Sequence, residues 1–261
     1  MCMRLEYNYH THTVRCGHAS GTEEEYIINA IKAGYKELGF SDHMMIRGYS
    51  QPHMRGDFDT LKDYVDVLRQ LKEKYKDQIN IHIGLECEYF PQIKDYYKEL
   101  VDELGIKYLI IGQHCFMNEE GKICWAFGLS NLEECLEKYT TLLIEGMSTG
   151  LFKYVCHPDL FFVRAKCNNP LIEKYSKMIC EASIKYDIPL EINLCGARRK
   201  IDYDDYSYPS PIFWKIASKY HVKVVIGVDA HNPLEMIYSK KEYAFDIIRR
   251  YNLNYMEDYH L

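Results

Sequence analysis

Residues 222–231, VKVVIGVDAH, carry an apolar strand pattern straight into a carboxylate, Asp229, and an imidazole, His231. Other short runs are similar: RLEYNYH (4–10), KELGFSDH (36–43), INIHIGLECEYF (79–90), KYLIIGQH (107–114), KYVCH (153–157) and IPLEIN (188–193). Longer segments with helical periodicity lie between them. One covers 23–33, behind a capping box of Thr22 and Glu25. Others fall near 58–76, 91–104, 131–148, 170–186 and 210–220, and a last helix near 240–251 precedes a polar tail. Strand and helix alternating about seven times predict a parallel α/β fold. A doubly wound sheet lacks support, because no Gly-rich phosphate fingerprint follows the first strand. A barrel is favoured by the polar residues, since nearly every strand pattern ends in histidine or carboxylate. A barrel gathers all those ends around one mouth, where such folds do chemistry.

Composition narrows the function. The chain has 261 residues, the usual size of one α/β barrel, and no repeat, linker or low-complexity tract divides it, so residues 1–261 are read as one domain. Hydrophobic residues are 47%, enough for a sizeable core. The formal net charge is −6 with no basic stripe, so no nucleic-acid partner is expected. Ten cysteines form no C-x-x-C, which disfavours a zinc knuckle, and the chain enters a strand pattern without a signal peptide. No apolar run approaches the ~20 residues of a membrane span. These features predict a cytoplasmic protein with reduced thiols. Cys87, Cys115 and Cys156 each adjoin a suspected site residue. Strand neighbours face opposite ways, so these three are expected in the strand–helix layer as small buried hydrophobes. The sequence carries no mark of an oligomeric state.

The strand ends form one constellation. His10 and His12, two apart, would share a strand face. His18 follows in the next loop, and the second strand ends in Asp42 and His43. Glu86 and Glu88, His114, His157, and then Asp229 and His231 follow on later strands. Seven of the 11 histidines thus fall at one rim. That is more imidazole and carboxylate than one tetrahedral zinc can use, and predicts two or three divalent ions bridged by a carboxylate. Such sites activate water and clamp the oxygens of a phosphoryl displacement. Glu88 is read as support for a ligand. Asp42 is either a hydrogen-bonder behind a ligand or a proton donor. His82 shares Glu86's face but lies ~13 Å deeper at ~3.3 Å per residue, and is read as an interior hydrogen-bonded histidine. His53, His221 and His260 are expected to be solvated.

YHTHT, CGHA, GFSDH, GLECEYF, GQH, CHPD, EIN…GARRK…YPS and GVDAH, in that order from residue 9 to 231, resemble the PHP family of metal-dependent phosphoesterases. The match is best to its histidinol-phosphatase branch. The resemblance implies a distorted (β/α)7 barrel holding up to three metals. It places Asp229, His10 and His12 on one, Glu86 as a bridge, and His114 and His157 on a second. His18, His43 and His231 take the third, and His18 stands where many members have aspartate. The metals suit zinc, manganese or iron. The implied reaction is hydrolysis of a small phosphomonoester, L-histidinol phosphate, in histidine biosynthesis. Arg198, in a loop after the sixth strand, aligns with the family's G-x-R-K. It is expected to hold phosphate, with Arg164 of FFVRAK as a second candidate. Glu119 and Glu120 are candidates to face the substrate's ammonium. Other monoesters, phosphotyrosine and nucleic-acid phosphodiesters remain alternative substrates, and a non-catalytic metal-binding module is the alternative of another class.

Overall fold

In the computed structural model, residues 3–163, 170–202 and 208–261 are described. The strands are β1 (Tyr7–Asn8), β2 (Glu37–His43), β3 (Asn80–Cys87), β4 (Tyr108–Ile111), β5 (Cys115–Met117), β6 (Ile123–Trp125), β7 (Phe152–Val155), β8 (Leu190–Asn193), β9 (Lys223–Gly227) and β10 (Asn254–Tyr255). The helices are α1 (Glu23–Ala33), α2 (Leu61–Tyr75), α3 (Lys94–Asp102), α4 (Leu132–Ser148), α5 (Pro170–Lys185), α6 (Leu194–Asp202), α7 (Pro211–Ala217) and α8 (Lys241–Tyr251). α1 starts at the Thr22–Glu25 capping box read from the sequence, and Gly34 at φ 88° stops it.

Eight strands make one parallel sheet in the order β1-β2-β3-β4-β7-β8-β9-β10. The sheet curls until β1's extension meets β9's. Thr11 bridges Ala230, with His12 N–H on the Ala230 carbonyl at 2.9 Å and Ala230 N–H on the His10 carbonyl at 3.3 Å. The ring is therefore the expected seven-stranded α/β barrel, joined at its upper rim by one short bridge. Its lower seam is filled by β10, absent from the sequence reading. Tyr7 donates its hydroxyl to the Met256 carbonyl at 2.9 Å, and Tyr255 to that of Arg4 at 2.8 Å. The tail, expected to be merely polar, packs into the barrel floor. Tyr259 lies edge-on to Tyr7, Tyr9 and Tyr154 and donates to the Lys153 carbonyl.

Two further elements were not expected. β5 and β6 form an antiparallel hairpin beside the mouth. The segment after β8, read as a loop, is the helix α6. Its internal Gly196 and short length hide any helical period.

Tyr108 decides the barrel's width. Fully buried, it crosses the interior and donates to the carbonyls of Tyr9 at 2.8 Å and Phe40 at 3.0 Å. Gly39 and Gly84 make room for it, since a Cβ at either would overlap the Tyr108 side chain. Inward positions below the site are thus aromatic, and those above it polar. Gly84→Ala should destabilise the fold by about 1–3 kcal/mol through overpacking. In thermal denaturation its loss should shrink on a Tyr108→Leu background, where the ring is gone. Equal losses in both backgrounds would contradict this packing.

Candidate metal centre

Glu86, last but one in β3, is only 1% exposed. One carboxylate oxygen lies 2.8 Å from His157 Nε2 and 3.8 Å from His114 Nε2. The other lies 3.0 Å from His43 Nδ1, 3.5 Å from His12 Nε2 and 3.6 Å from His10 Nε2. One buried carboxylate thus faces two separate sets of imidazoles. Gly112 keeps this possible, because a Cβ there would overlap the Glu86 oxygen. Asp229 Oδ1 approaches His12 Nε2 at 3.1 Å and His10 Nε2 at 3.6 Å. On the outer side, His18 and His231 meet Nε2 to Nε2 at 2.9 Å, and the His231 ring lies 4.2 Å from that of His12. All nine residues read as ligands therefore converge. A tenth donor, Cys16, joins His18 and His231 within 4.8 Å. Burial pushes its thiol up to about 12, so it stays protonated near neutral pH.

The chain's own charges are unbalanced here. Burial works to raise the Glu86 carboxyl, but His43, His114 and His10 hold it well below its ordinary value. Asp229 is likewise held low against burial, by His10, His12 and His231. Burial opposes a charge on His12, yet Asp229 and Asp42 raise it to about 9. His43 goes the other way, to about 4, through burial and then the charge of His12. Imidazoles this close cannot all carry protons, so the outer ones stay neutral and available as ligands. His10 Nε2, His12 Nε2, His43 Nδ1 and Asp229 Oδ1 are buried with no hydrogen-bond partner. A buried polar atom left unsatisfied costs about 1–3 kcal/mol. Divalent cations would satisfy all four, and the donor set fits them.

Other residues hold these ligands in place. Glu191 takes His10 Nδ1 at 2.8 Å and Asn193 Nδ2 at 2.8 Å, and Asn193 also donates to Asp229 at 2.9 Å. Asp42 sits behind His12, at 3.5 Å from Nδ1, accepting from the Thr13 hydroxyl and from the His43 N–H at 3.1 Å. Glu88 sits behind His114 at 3.5 Å, as expected of a supporting residue. Arg55 forks onto it at 2.9 and 3.1 Å.

The PHP domain family profile matches residues 8–194. This chain belongs to the PHP domain family. It is 26% identical over 233 residues to a Deinococcus radiodurans protein named a probable histidinol-phosphatase, across 87% of this chain and 86% of that one. It is 26% identical over 136 residues to the histidinol-phosphatase of Bacillus subtilis, 49% of this chain and 50% of that protein. Among solved structures it resembles the histidinol phosphate phosphatase of Lactococcus lactis, complexed with zinc, L-histidinol and phosphate. That match has a TM-score of 0.70 at 18% identity, covering 96% of this chain and 95% of that one, and is a likeness of fold.

Several expectations land elsewhere in this PHP barrel. Arg198 lies in α6, and its guanidinium donates to the carbonyls of Val228 at 2.9 Å and Asp229 at 3.1 Å and pairs with Glu235 at 3.0 Å. Glu235 in turn accepts the His231 N–H at 2.7 Å. Arg198 thus braces the turn that presents two ligands. Arg164 lies outside the described residues. Glu119 and Glu120 are exposed near the tip of the β5–β6 hairpin. Cys87 and Cys115 are buried as expected, but Cys156 lies beside His10 and Glu191 inside the barrel. Its neighbour His157, at φ 28°, leaves the extended region, so strand alternation does not separate the two. His82 is paired with Glu37, and His53, His221 and His260 are exposed. Sequence reasoning gave no role to Glu191, Asn193, Arg55 or Thr13. Glu191 alone had a signal, a carboxylate inside the apolar run IPLEIN.

Glu86→Gln should strip bound metal and turnover together, with no loss of thermal stability beyond that of the metal-free wild type. Glu88→Ala should instead cost about 3–5 kcal/mol, because it leaves the buried Arg55 unpaired. Elemental analysis and denaturant unfolding read the two, and a reversed pattern would refute both placements. Arg198→Ala should lower metal content by loosening the Asp229–His231 turn, with Lys restoring little, since one ammonium cannot span three acceptors. Unchanged metal content with a raised KM would return Arg198 to a phosphate contact.

Proposed function

We propose that this chain is a metal-dependent phosphatase that hydrolyses L-histidinol phosphate to L-histidinol and inorganic phosphate. The observation that carries the reading is the two-sided Glu86 carboxylate, ringed by imidazoles whose buried nitrogens lack partners. The names of the Deinococcus and Bacillus relatives support the substrate. His10, His12 and Asp229 would hold one cation with Glu86, and His114 and His157 a second from the other Glu86 oxygen. His18, His43 and His231 would hold a third. Zinc, manganese and iron all suit these donors. When bound, the cations supply a nucleophile from water at neutral pH and neutralise phosphoryl oxygens.

The chain's own residues do the rest. Glu191 and Asp42 fix the orientation of His10 and His12, so the inner ligands need no rearrangement when substrate arrives. Asp42 already accepts from Thr13 and His43 and faces His12, so it is assigned to positioning rather than to proton donation. Tyr108 and the aromatic floor fill the barrel below Glu86, so substrate would approach from the rim. A small monoester fits such a mouth better than a duplex, for which the charge of −6 is also wrong. No helix among the described residues is long and apolar enough to cross a membrane. The free thiols support a reducing compartment such as the cytoplasm.

Protein purified without chelator should contain more than one divalent metal per chain by elemental analysis. One or fewer, even after reconstitution with manganese or zinc, would refute the multinuclear site. Chelation should abolish turnover, and re-addition should restore it. On a panel of monoesters, a phosphodiester and a phosphotyrosine peptide, L-histidinol phosphate should give the highest kcat/KM. Faster turnover of the diester or the peptide would overturn the assigned substrate.

A further inference from the structure

His114 does more than face Glu86. Its ring lies nearly parallel to the indole of Trp125, 12° between planes, with centroids 6.1 Å apart. A close stack needs a shorter separation, so the His114 ring leaves the indole open to a further partner. Trp125 is 49% exposed, although it stands at the rim of a site whose ligands are almost all buried.

That exposed face is fixed in place. Trp125 ends β6, paired to Cys115 across the hairpin, and the next residue's N–H bonds the His114 carbonyl at 2.9 Å. Phe127 packs edge-on against the indole at 5.5 Å and is itself buried against Tyr139. The hairpin tip is held by the Tyr49 hydroxyl on the Gly121 carbonyl at 2.8 Å and by Gln92 on the Met117 carbonyl at 3.2 Å. An ordered, half-uncovered indole one ring away from a metal ligand is a preorganised apolar surface beside the reacting centre.

We propose that Trp125 is the platform on which the leaving group of the substrate stacks, and that it selects monoesters carrying a planar, cationic side group. This rests on the phosphatase reading of the metal centre. With the phosphoryl group at the Glu86 cluster, an alcohol whose ring stands four bonds from the ester oxygen reaches at most roughly 6 Å outward at ~1.5 Å per bond. That is about the separation of His114 from Trp125. An imidazolium ring or an ammonium over an indole gains stacking and cation–π attraction. A short aliphatic monoester has nothing to place there.

Trp125→Leu and Trp125→Phe should retain the wild-type metal content. In Trp125→Leu, kcat/KM for L-histidinol phosphate should fall about five- to tenfold, mostly through KM, and for glycerol 3-phosphate it should stay within twofold. Trp125→Phe should recover most of the loss. Equal losses on both substrates, or no loss on either, would overturn the platform. The chain's other tryptophan, Trp214, is fully buried, so fluorescence quenching by iodide reports Trp125. L-histidinol with inorganic phosphate should protect that signal in the metal-loaded protein, and absence of protection counts against the proposal. If L-histidinol phosphate is not hydrolysed at all, the substrate assignment fails. The platform is then judged by phenylalaninol phosphate against glycerol 3-phosphate in the same variants, where an unchanged ratio overturns it separately.

Discussion

The structure depends on one buried carboxylate shared among five imidazoles. Among the described residues, the rings of His10, His12, His43, His114 and His157 face the Glu86 oxygens, and no lysine or arginine pairs with them. A lone buried carboxylate would protonate, and rings this close together would shed their protons. Each set therefore needs the other, and cations would complete both. The barrel makes the arrangement possible. Parallel strands end at one rim, so residues from β2, β3 and the ends of β4, β7 and β9 meet at a point although they lie far apart in sequence.

The interior is graded to protect that point. Below it, Tyr108 spans the barrel between glycines, and Tyr259 of the tail closes the floor. Above it come Glu86 and the histidines, and around them a ring of supporting groups. Glu191 and Asn193 hold His10 and Asp229, Asp42 holds His12, Glu88 and Arg55 hold His114, and Arg198 with Glu235 hold the Asp229–His231 turn. Buried polar groups of this kind are tolerable only when their own hydrogen bonds are met.

The convergence of the candidate ligands was legible in the sequence because they combine two local signals: a strand pattern, and an imidazole or carboxylate at its end. Neither needs knowledge of the tertiary structure beyond the barrel itself. Of the supports, Glu88 and Asp42 lie next to ligand motifs and were read from them, but the others were not legible, for a reason of distance. Arg198 is 31 residues from the carbonyl of Asp229, and Arg55 is 33 from Glu88. Nothing local marks either arginine as buried. α6 was missed because Gly196 and a short span leave no periodicity to read. β10 was missed because its role is to fill a seam that exists only once the sheet has curled. The floor residue Tyr259 looked like a tail residue for the same reason. The contact of Trp125 with the His114 ring was invisible, since it is made across a hairpin turn.

Two of the ligands lie in backbone that strand geometry alone would not allow. His157 has φ 28° and Asp229 φ 50°, a region unfavourable for side chains with a Cβ, at about 1–3 kcal/mol each. A regular pleat after Cys156 would send the next side chain outward, into the helix layer. The left-handed step at His157 turns it inward instead, onto Glu86. Such a step persists only if neighbours hold it. The His157 N–H is met by Glu191 at 3.4 Å and its carbonyl by the Tyr139 hydroxyl at 3.2 Å, and the Asp229 carbonyl is met by Arg198 at 3.1 Å. Glu191 therefore supports both strained turns, His157 directly and Asp229 through Asn193, while also orienting His10. It stands to the ligands as Glu86 stands to the cations. One carboxylate gathers charge at the centre, and the second, one layer out, holds the backbone in the shape that brings the charge together.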